Sequence, residues 1–174
     1  FSILDPKGKL MPHFIAIRNG ISENQEMVRK GYEKVLKARL TDASFFFKED
    51  VKKPLEFYVA KSASILLQEK LGTMGDKTER MKKISGFLID ALNGDSNPVA
   101  TLKIERSTVE RAAHLSKFDL STGMVYELPA LQGAIGELYA RHYGEDTATA
   151  SIIREHYYPL TNQTDPPHDL AAGI

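Results

Sequence analysis

The sequence predicts a mainly α protein, a helical bundle preceded by a short β-hairpin. Three observations lead there. Strand-like alternation is confined to residues 1–20, apolar residues recur at helical spacing from Ser22 onward, and turn-forming residues cluster between the periodic runs.

Phe1 and Ile3 alternate with polar neighbours, and Asp5-Pro6-Lys7-Gly8 supplies turn chemistry. A second run, His13 to Arg18, ends at Asn19-Gly20, so a hairpin is expected. Two strands alone are marginal in water. Residues 1–21 are therefore expected to be the end of an upstream β-rich domain, and residues 22–174 a helical domain truncated at its C-terminal side. Ser22 and Gln25 fit a capping box, and Val28, Tyr32, Val35, Ala43 and Phe47 can share one face of the long helix that follows. Lys52-Lys53-Pro54 marks its boundary. Ile65-Leu66-Leu67 is apolar throughout and is expected to be buried. Gly72 and Gly75 form a turn, after which Met81, Ile84, Leu88 and Leu92 line a helix. Asn93 to Pro98 is a loop. Val109, Ala112, Ala113 and Leu120, then Leu131, Ile135, Leu138 and Tyr139, then Ala148, Ile152 and His156 continue the helical period, and Pro159 to Pro167 is a polar loop. Six or seven helices result.

The 174 residues suit one ordinary domain with part of a neighbour, and 42% hydrophobic with 26% charged residues is enough to bury a core. The 23 basic and 23 acidic residues cancel, so nucleic acid would have to be bound by a local patch. The lack of cysteine removes disulfides and thiolate chemistry and fits a reducing cytoplasm. No apolar run approaches the ~20 residues of a membrane span. The first residues carry no signal-peptide pattern, and both termini read as cut from a longer chain.

Phosphate-binding glycine motifs, HExxH and the common nucleophile motifs do not occur. Of the histidines His13, His114, His142, His156 and His168, His168-Asp169 forms a literal His-Asp pair, but in a Pro-rich loop. His156 beside Glu155, with Asp119, is a possible metal or acid-base group without an identifiable partner set. Basic residues cluster at Lys30, Lys34, Lys37 and Arg39, and at Lys70, Lys77, Arg80, Lys82 and Lys83. Glu33, Asp42, Glu69, Asp76 and Glu79 interleave with them. Solvated helix faces with i,i+4 ion pairs and phosphate contacts are both open readings.

Three blocks of sequence resemble one family, the bacterial glycyl-tRNA synthetase beta subunit. Gly31 to Phe47 is similar to its GNEKVLRARLxDAxFFF. Gln68 to Thr73 with Asp76 to Arg80 is similar to QEKLGTxxDKxER. Ala112 to Leu120, continuing through Met124 to Pro129 and Leu131 to Gly133, is similar to AAxLxKxDLxTxMVxEFPxLQG, and Glu155-His156-Tyr157 with Pro159 fits EHYxP. Tyr32, Gly75 and Leu128 depart from the family pattern.

The resemblance implies a segment carrying the helical HD-like domain of a subunit several times longer, without its C-terminal anticodon-binding domain. It implies a separate alpha subunit that activates glycine with ATP and Mg and charges tRNA(Gly), in an assembly of two alpha and two beta subunits. No cofactor is expected in this segment and no membrane partner. The basic residues Lys34, Arg39, Lys70, Lys77 and Arg80 become candidate tRNA contacts, with internal salt bridges as the alternative. In HD phosphohydrolases the ligand positions would fall at Asp76-Lys77 and at Ser116 to Asp119. Asp76, Lys117, Asp119 and His156 are thus expected as the remains of a metal site lacking its histidines, with Lys117 repelling a cation. The other readings are an active HD-type metal-dependent phosphohydrolase acting on nucleotides, and a scaffold that never touches RNA.

Overall fold

In a computed structural model of the chain, described for residues 1–20, 23–93, 104–161 and 165–174, the mainly α architecture is observed. Among these residues lie eight α-helices and two small antiparallel hairpins. The chain divides into two compact units, Phe1–Ser44 and Phe45–Ile174.

In the first unit, Asp5 builds the turn. Its Oδ1 accepts the backbone N–H groups of Lys7 and Lys9, both at 2.8 Å, and Gly8 takes the positive φ of +79° that closes the loop. Closing the turn at Lys9 pairs β1 (Ser2–Leu4) with β2 (Leu10–Phe14), with Leu4 opposite Leu10 and Ser2 opposite Phe14. The second strand thus starts earlier than the run from His13 suggested, and only His13 and Phe14 of that run lie in it. Helix α1 (Gln25–Asp50) follows. Ser22, the expected cap, lies outside the described residues. Val28, Ala43 and Phe47 are half-buried, but Tyr32 and Val35 of the expected stripe stay exposed. Lys30, Lys34 and Lys37 interleave with the apolar positions there and blur the amphipathic face.

In the second unit, Pro54 ends the connection from α1 and opens α2 (Leu55–Ala63). The Ile65-Leu66-Leu67 run is not buried. It enters a hairpin, β3 (Leu66–Gln68) against β4 (Gly72–Thr73), in which Leu66 is 69% exposed. Gly72 supplies the positive φ of +79° at the turn. Thr73 then caps α3 (Met74–Leu92) in a capping box: Asp76 N donates to Thr73 Oγ1 at 3.2 Å and Thr73 N to Asp76 Oδ2 at 2.8 Å. The buried face of α3 carries Ser85, Gly86 and Ile89, while Ile84 and Leu88 of the expected face are exposed. The small side chains at 85 and 86 let α4 (Arg106–Leu115) pack close. A Cβ on Gly86 would stand 2.7 Å from the Arg106 guanidinium. Residues 94–103, which hold most of the expected loop, lie outside the described residues.

After α4 the chain runs through a 3-10 turn (Phe118–Ser121), α5 (Gly123–Glu127), a second 3-10 turn (Pro129–Leu131), α6 (Ala134–His142), α7 (Thr147–Glu155) and a short α8 (Leu170–Gly173). Asp146 caps α7 through Thr149 N, whereas Glu145 leaves the helix start and pairs with Arg111 at 2.5 Å. Val109, Ala112, Leu115, Phe118, Tyr139, Ala140, Ala150 and Ile153 form the core between α3, α4, α6 and α7.

One buried carboxylate joins distant parts of this unit. Asp50, 5% exposed at the end of α1, accepts Gly123 N at 2.8 Å on Oδ1 and Met124 N at 2.9 Å on Oδ2. Tyr139 OH donates to the same Oδ2 at 2.9 Å, and Tyr58 OH reaches the Asp50 backbone oxygen at 2.8 Å. Burial and the neighbouring carboxylate push the Tyr58 and Tyr139 phenols up. Gly123 leaves room for the carboxylate, since a Cβ there would meet Asp50 Oδ1 at 3.1 Å and the Phe46 ring at 3.0 Å. Asp50→Ala strands two buried donors, Met124 N and Tyr139 OH, and the half-buried Gly123 N, and is expected to cost about 3–5 kcal/mol in urea unfolding, against about 1 kcal/mol for Tyr139→Phe. Equal losses from the two would contradict the central role of the carboxylate.

Candidate functional site

The break between α4 and the following 3-10 turn points two charged side chains inward. Lys117 is 7% exposed and Asp119 fully buried. Asp119 Oδ2 accepts Gly133 N at 2.7 Å, while its Oδ1 is buried without a hydrogen-bond partner. Gly133 holds φ at +79°, and a Cβ there would come within 2.8 Å of the Tyr157 ring. Gly136, one turn into α6, makes room in the same way, with Asp119 Oδ2 3.2 Å and Ile153 2.9 Å from where a Cβ would sit.

His156 ends α7 and closes the site from the other side. Its Nδ1 lies 2.7 Å from the Ile153 carbonyl oxygen, so Nδ1 carries the proton and Nε2 keeps a lone pair. Lys117 Nζ donates to that lone pair at 2.6 Å and stands 3.7 Å from the centre of the Tyr157 ring. The Tyr157 hydroxyl accepts from Gln132 Nε2 at 2.7 Å. Burial, and after it the charge of Lys117, lowers the His156 pKa to about 3, so the ring is neutral. Burial, then the charge of Lys77, lowers that of Lys117 to about 8. Burial raises that of Asp119 against the opposing pull of Gly133 N–H and Lys117.

Three of the four residues expected as remains of a metal site therefore meet: Lys117, Asp119 and His156. The fourth, Asp76, is exposed and occupied by the Thr73 cap. Lys77 beside it is half-buried, close enough for its charge to act on both Lys117 and His156. Glu155 does not join Asp119. It accepts from His168 N at 2.7 Å, and Asp169 caps α8 through Ala171 N. Gln132, Gly133 and Tyr157 escaped a search by chemical type, because a backbone N–H and a ring face carry no residue signature. Their signal lay in the family-like blocks LQG and EHY.

The donor chemistry does not fit a hydrolytic metal. Among the described residues no group of three or more His, Cys, Asp or Glu is placed to hold an ion. The one imidazole lone pair already accepts from an ammonium.

The other candidate residues fall into two places. Lys34 and Arg39 are exposed on α1 in the first unit. Lys70, in the β3–β4 turn, and Arg80, on α3, are exposed around the helix start that also carries Lys77. Of the interleaved acids, Glu33 pairs with Arg29 at 2.6 Å and Asp76 is engaged in the cap, where the charge of Arg80 also acts on it. Among the described residues, Lys34, Lys70, Lys77 and Arg80 make no ion pair. No helix among the described residues is long and apolar enough to cross a membrane.

Fold and site together define a mainly helical domain with a buried lysine beside a histidine and an aspartate at its centre and exposed cations, Lys70 and Arg80 among them, on its surface. Comparison with known proteins narrows this class. A family model described as "Glycyl-tRNA synthetase beta subunit" matches residues 1–174, and the chain belongs to that family. It is 45% identical over 168 residues to the glycine–tRNA ligase beta subunit of Oceanobacillus iheyensis, covering 97% of this chain and 23% of that one. It is 45% identical over 174 residues to the corresponding protein of Bacillus subtilis, covering 100% of this chain and 25% of that one. With the corresponding Listeria monocytogenes protein it shares 42% over 175 residues, covering 100% of this chain and 24% of that one. The chain thus spans about a quarter of the length of these curated relatives.

The shifted pKa values fix a pH dependence. Between pH 6.5 and about 3 the unfolded chain binds a proton at His156 that the folded one refuses, so stability falls as pH drops through this window. Asp119 has the opposite sign. Its raised pKa makes the folded form the more protonated above the ordinary value, which offsets part of the loss. From about 8 to 10.5 the unfolded chain is the more protonated at Lys117, so stability rises with pH there. The acid limb of a urea-midpoint titration should slope by up to about 1.4 kcal/mol per pH unit and flatten in His156→Gln. An acid limb of the same slope in both proteins would contradict the buried neutral imidazole.

Proposed function

We propose that this chain is part of the beta subunit of a tetrameric glycine–tRNA ligase and that its helical domain helps bind and position tRNA(Gly). On this reading glycylation, with its ATP and Mg, takes place on a separate alpha subunit, two of which assemble with two beta subunits in the cytoplasm. Residues 1–21 are the end of an upstream β-rich domain, and residues 22–174 an HD-like domain that has lost its metal chemistry and is itself non-catalytic.

The cations around the start of α3 are the observation that carries the proposal. Lys70, Lys77 and Arg80 lie within one family-like block, and among the described residues none forms a direct ion pair, although the charge of Arg80 acts on Asp76. Exposed Lys70 and Arg80, with half-buried Lys77 between them in sequence, present positive charge that A-form RNA can meet through its phosphates, positioning the molecule without reading sequence. Lys34 and Arg39 on α1 are a second candidate set. An active HD-type phosphohydrolase is disfavoured by the donor set at Asp119 and His156, which offers a divalent ion too few ligands.

The full-length enzyme carrying Lys70→Glu or Arg80→Glu should bind tRNA(Gly) roughly three- to tenfold more weakly, with the salt slope reduced by about one. Circular dichroism should be unchanged, because both side chains are exposed and unpaired. Unaltered affinity and slope in both variants would leave the domain a scaffold.

A further inference from the structure

We infer that the ammonium of Lys117 is the built-in cation of this domain. It sits at the Nε2 lone pair of His156, against the ring face of Tyr157 and in the field of the buried Asp119 carboxylate, so the centre is a receptor for a primary ammonium group and not for a metal ion. This goes beyond the tRNA reading and does not depend on it.

Two groups touch Lys117 Nζ, and a third acts on it through charge. The His156 lone pair accepts at 2.6 Å, a short distance typical of a hydrogen bond with a charged donor. The electron-rich face of Tyr157 lies 3.7 Å away, within cation–π range. The Asp119 charge supplies the attraction, and among the described residues its Oδ1 has no hydrogen-bond partner. The surroundings are shaped to hold these groups. Nδ1 of His156 is committed to the Ile153 carbonyl, which aims Nε2 at the lysine. Gln132 fixes the Tyr157 hydroxyl. Gly133 and Gly136 let Asp119 and Tyr157 approach, since a Cβ at either position would collide with them or with Ile153. A divalent ion would need the His156 lone pair and several further ligands; the lysine already holds that lone pair, and among the described residues no group of three or more His, Cys, Asp or Glu is placed to hold an ion. An ammonium needs an acceptor, an aromatic face and a counter-charge, and it finds all three.

The test uses the full-length protein and hydrogen-exchange mass spectrometry of peptides spanning residues 112–135 and 150–158. Lys117→Ala should speed exchange there by roughly tenfold or more. Methylammonium chloride should restore most of the protection, while sodium chloride or tetramethylammonium chloride at equal ionic strength should not. Lys117→Met keeps the volume without the charge. It should also lose protection, and adding Asp119→Asn to it should recover part of the loss by removing the stranded carboxylate charge. Manganese or zinc should protect none of these variants. Wild-type protection in Lys117→Met, no preference for methylammonium in Lys117→Ala, or a Lys117→Met loss that Asp119→Asn leaves unchanged would each overturn the inference.

Discussion

Burial of the Asp50 carboxylate is the constraint on which the helical unit rests. An isolated helix as short as α5, Gly123–Glu127, has no stability of its own, and its first N–H groups need acceptors. Asp50 supplies them from 73 residues upstream, taking Gly123 N and Met124 N on separate oxygens. It also receives the Tyr139 hydroxyl, which ties α6 to the end of α1. Leaving any one of these buried donors unpaired costs more than the bond itself contributes, because the group would lose water and gain nothing. The carboxylate therefore fixes where α5 begins, and with it the path of the chain from the core to α6.

Asp119 handles the far end of the same irregular stretch by similar means. Between Phe118 and Gly133 the chain makes two 3-10 turns and one short helix, with few regular hydrogen bonds to steady it. A carboxylate stands near each end: Asp50 at Gly123 and Asp119 at Gly133. Both meet a glycine whose missing side chain leaves space for the oxygen or for a ring packed beside it. The difference is in the remaining valence. Asp50 is supplied with backbone and phenol donors, whereas Asp119 keeps one bare oxygen and lies in the field of Lys117.

Much of the architecture was legible in the sequence. The shift from alternation to helical spacing located the hairpin and the bundle, and Pro54 marked the start of α2 because it cannot continue the preceding helix. What misled was apolar content without regard to surroundings. Ile65-Leu66-Leu67 reads as core, yet the tight turn at Gly72 draws Leu66 and Leu67 into a hairpin strand, with Leu66 exposed and Leu67 half-buried. On α3 the large residues suggested one face, while Ser85 and Gly86 chose another by letting α4 approach. The centre was partly legible. Lys117, Asp119 and His156 were visible as residue types, but the bonds that organise them run through Gly133 N, the Ile153 carbonyl and the Tyr157 ring face, none of which has a chemical signature in sequence. Asp50 went unseen for the same reason, as one acid among 23 acidic residues.

The location of the charges separates what the domain keeps from what it can offer. Burying an ammonium and a carboxylate is costly, and an apolar replacement of matching shape is often as stable. Here the lysine is met by an imidazole held in one tautomer and by an aromatic face, and the carboxylate by one backbone N–H, which leaves Asp119 Oδ1 without a partner. Among the described residues Asp119 Oδ1 is the buried side-chain oxygen left without a hydrogen bond. The groups able to meet a partner are those on the surface, where Lys70 and Arg80 stand exposed while Asp76 is bound into its own helix cap. In this chain the capping box commits the Asp76 carboxylate to the start of α3, and the polar centre is built instead around Lys117, Asp119 and His156, whose bonds run to one another and to the backbone.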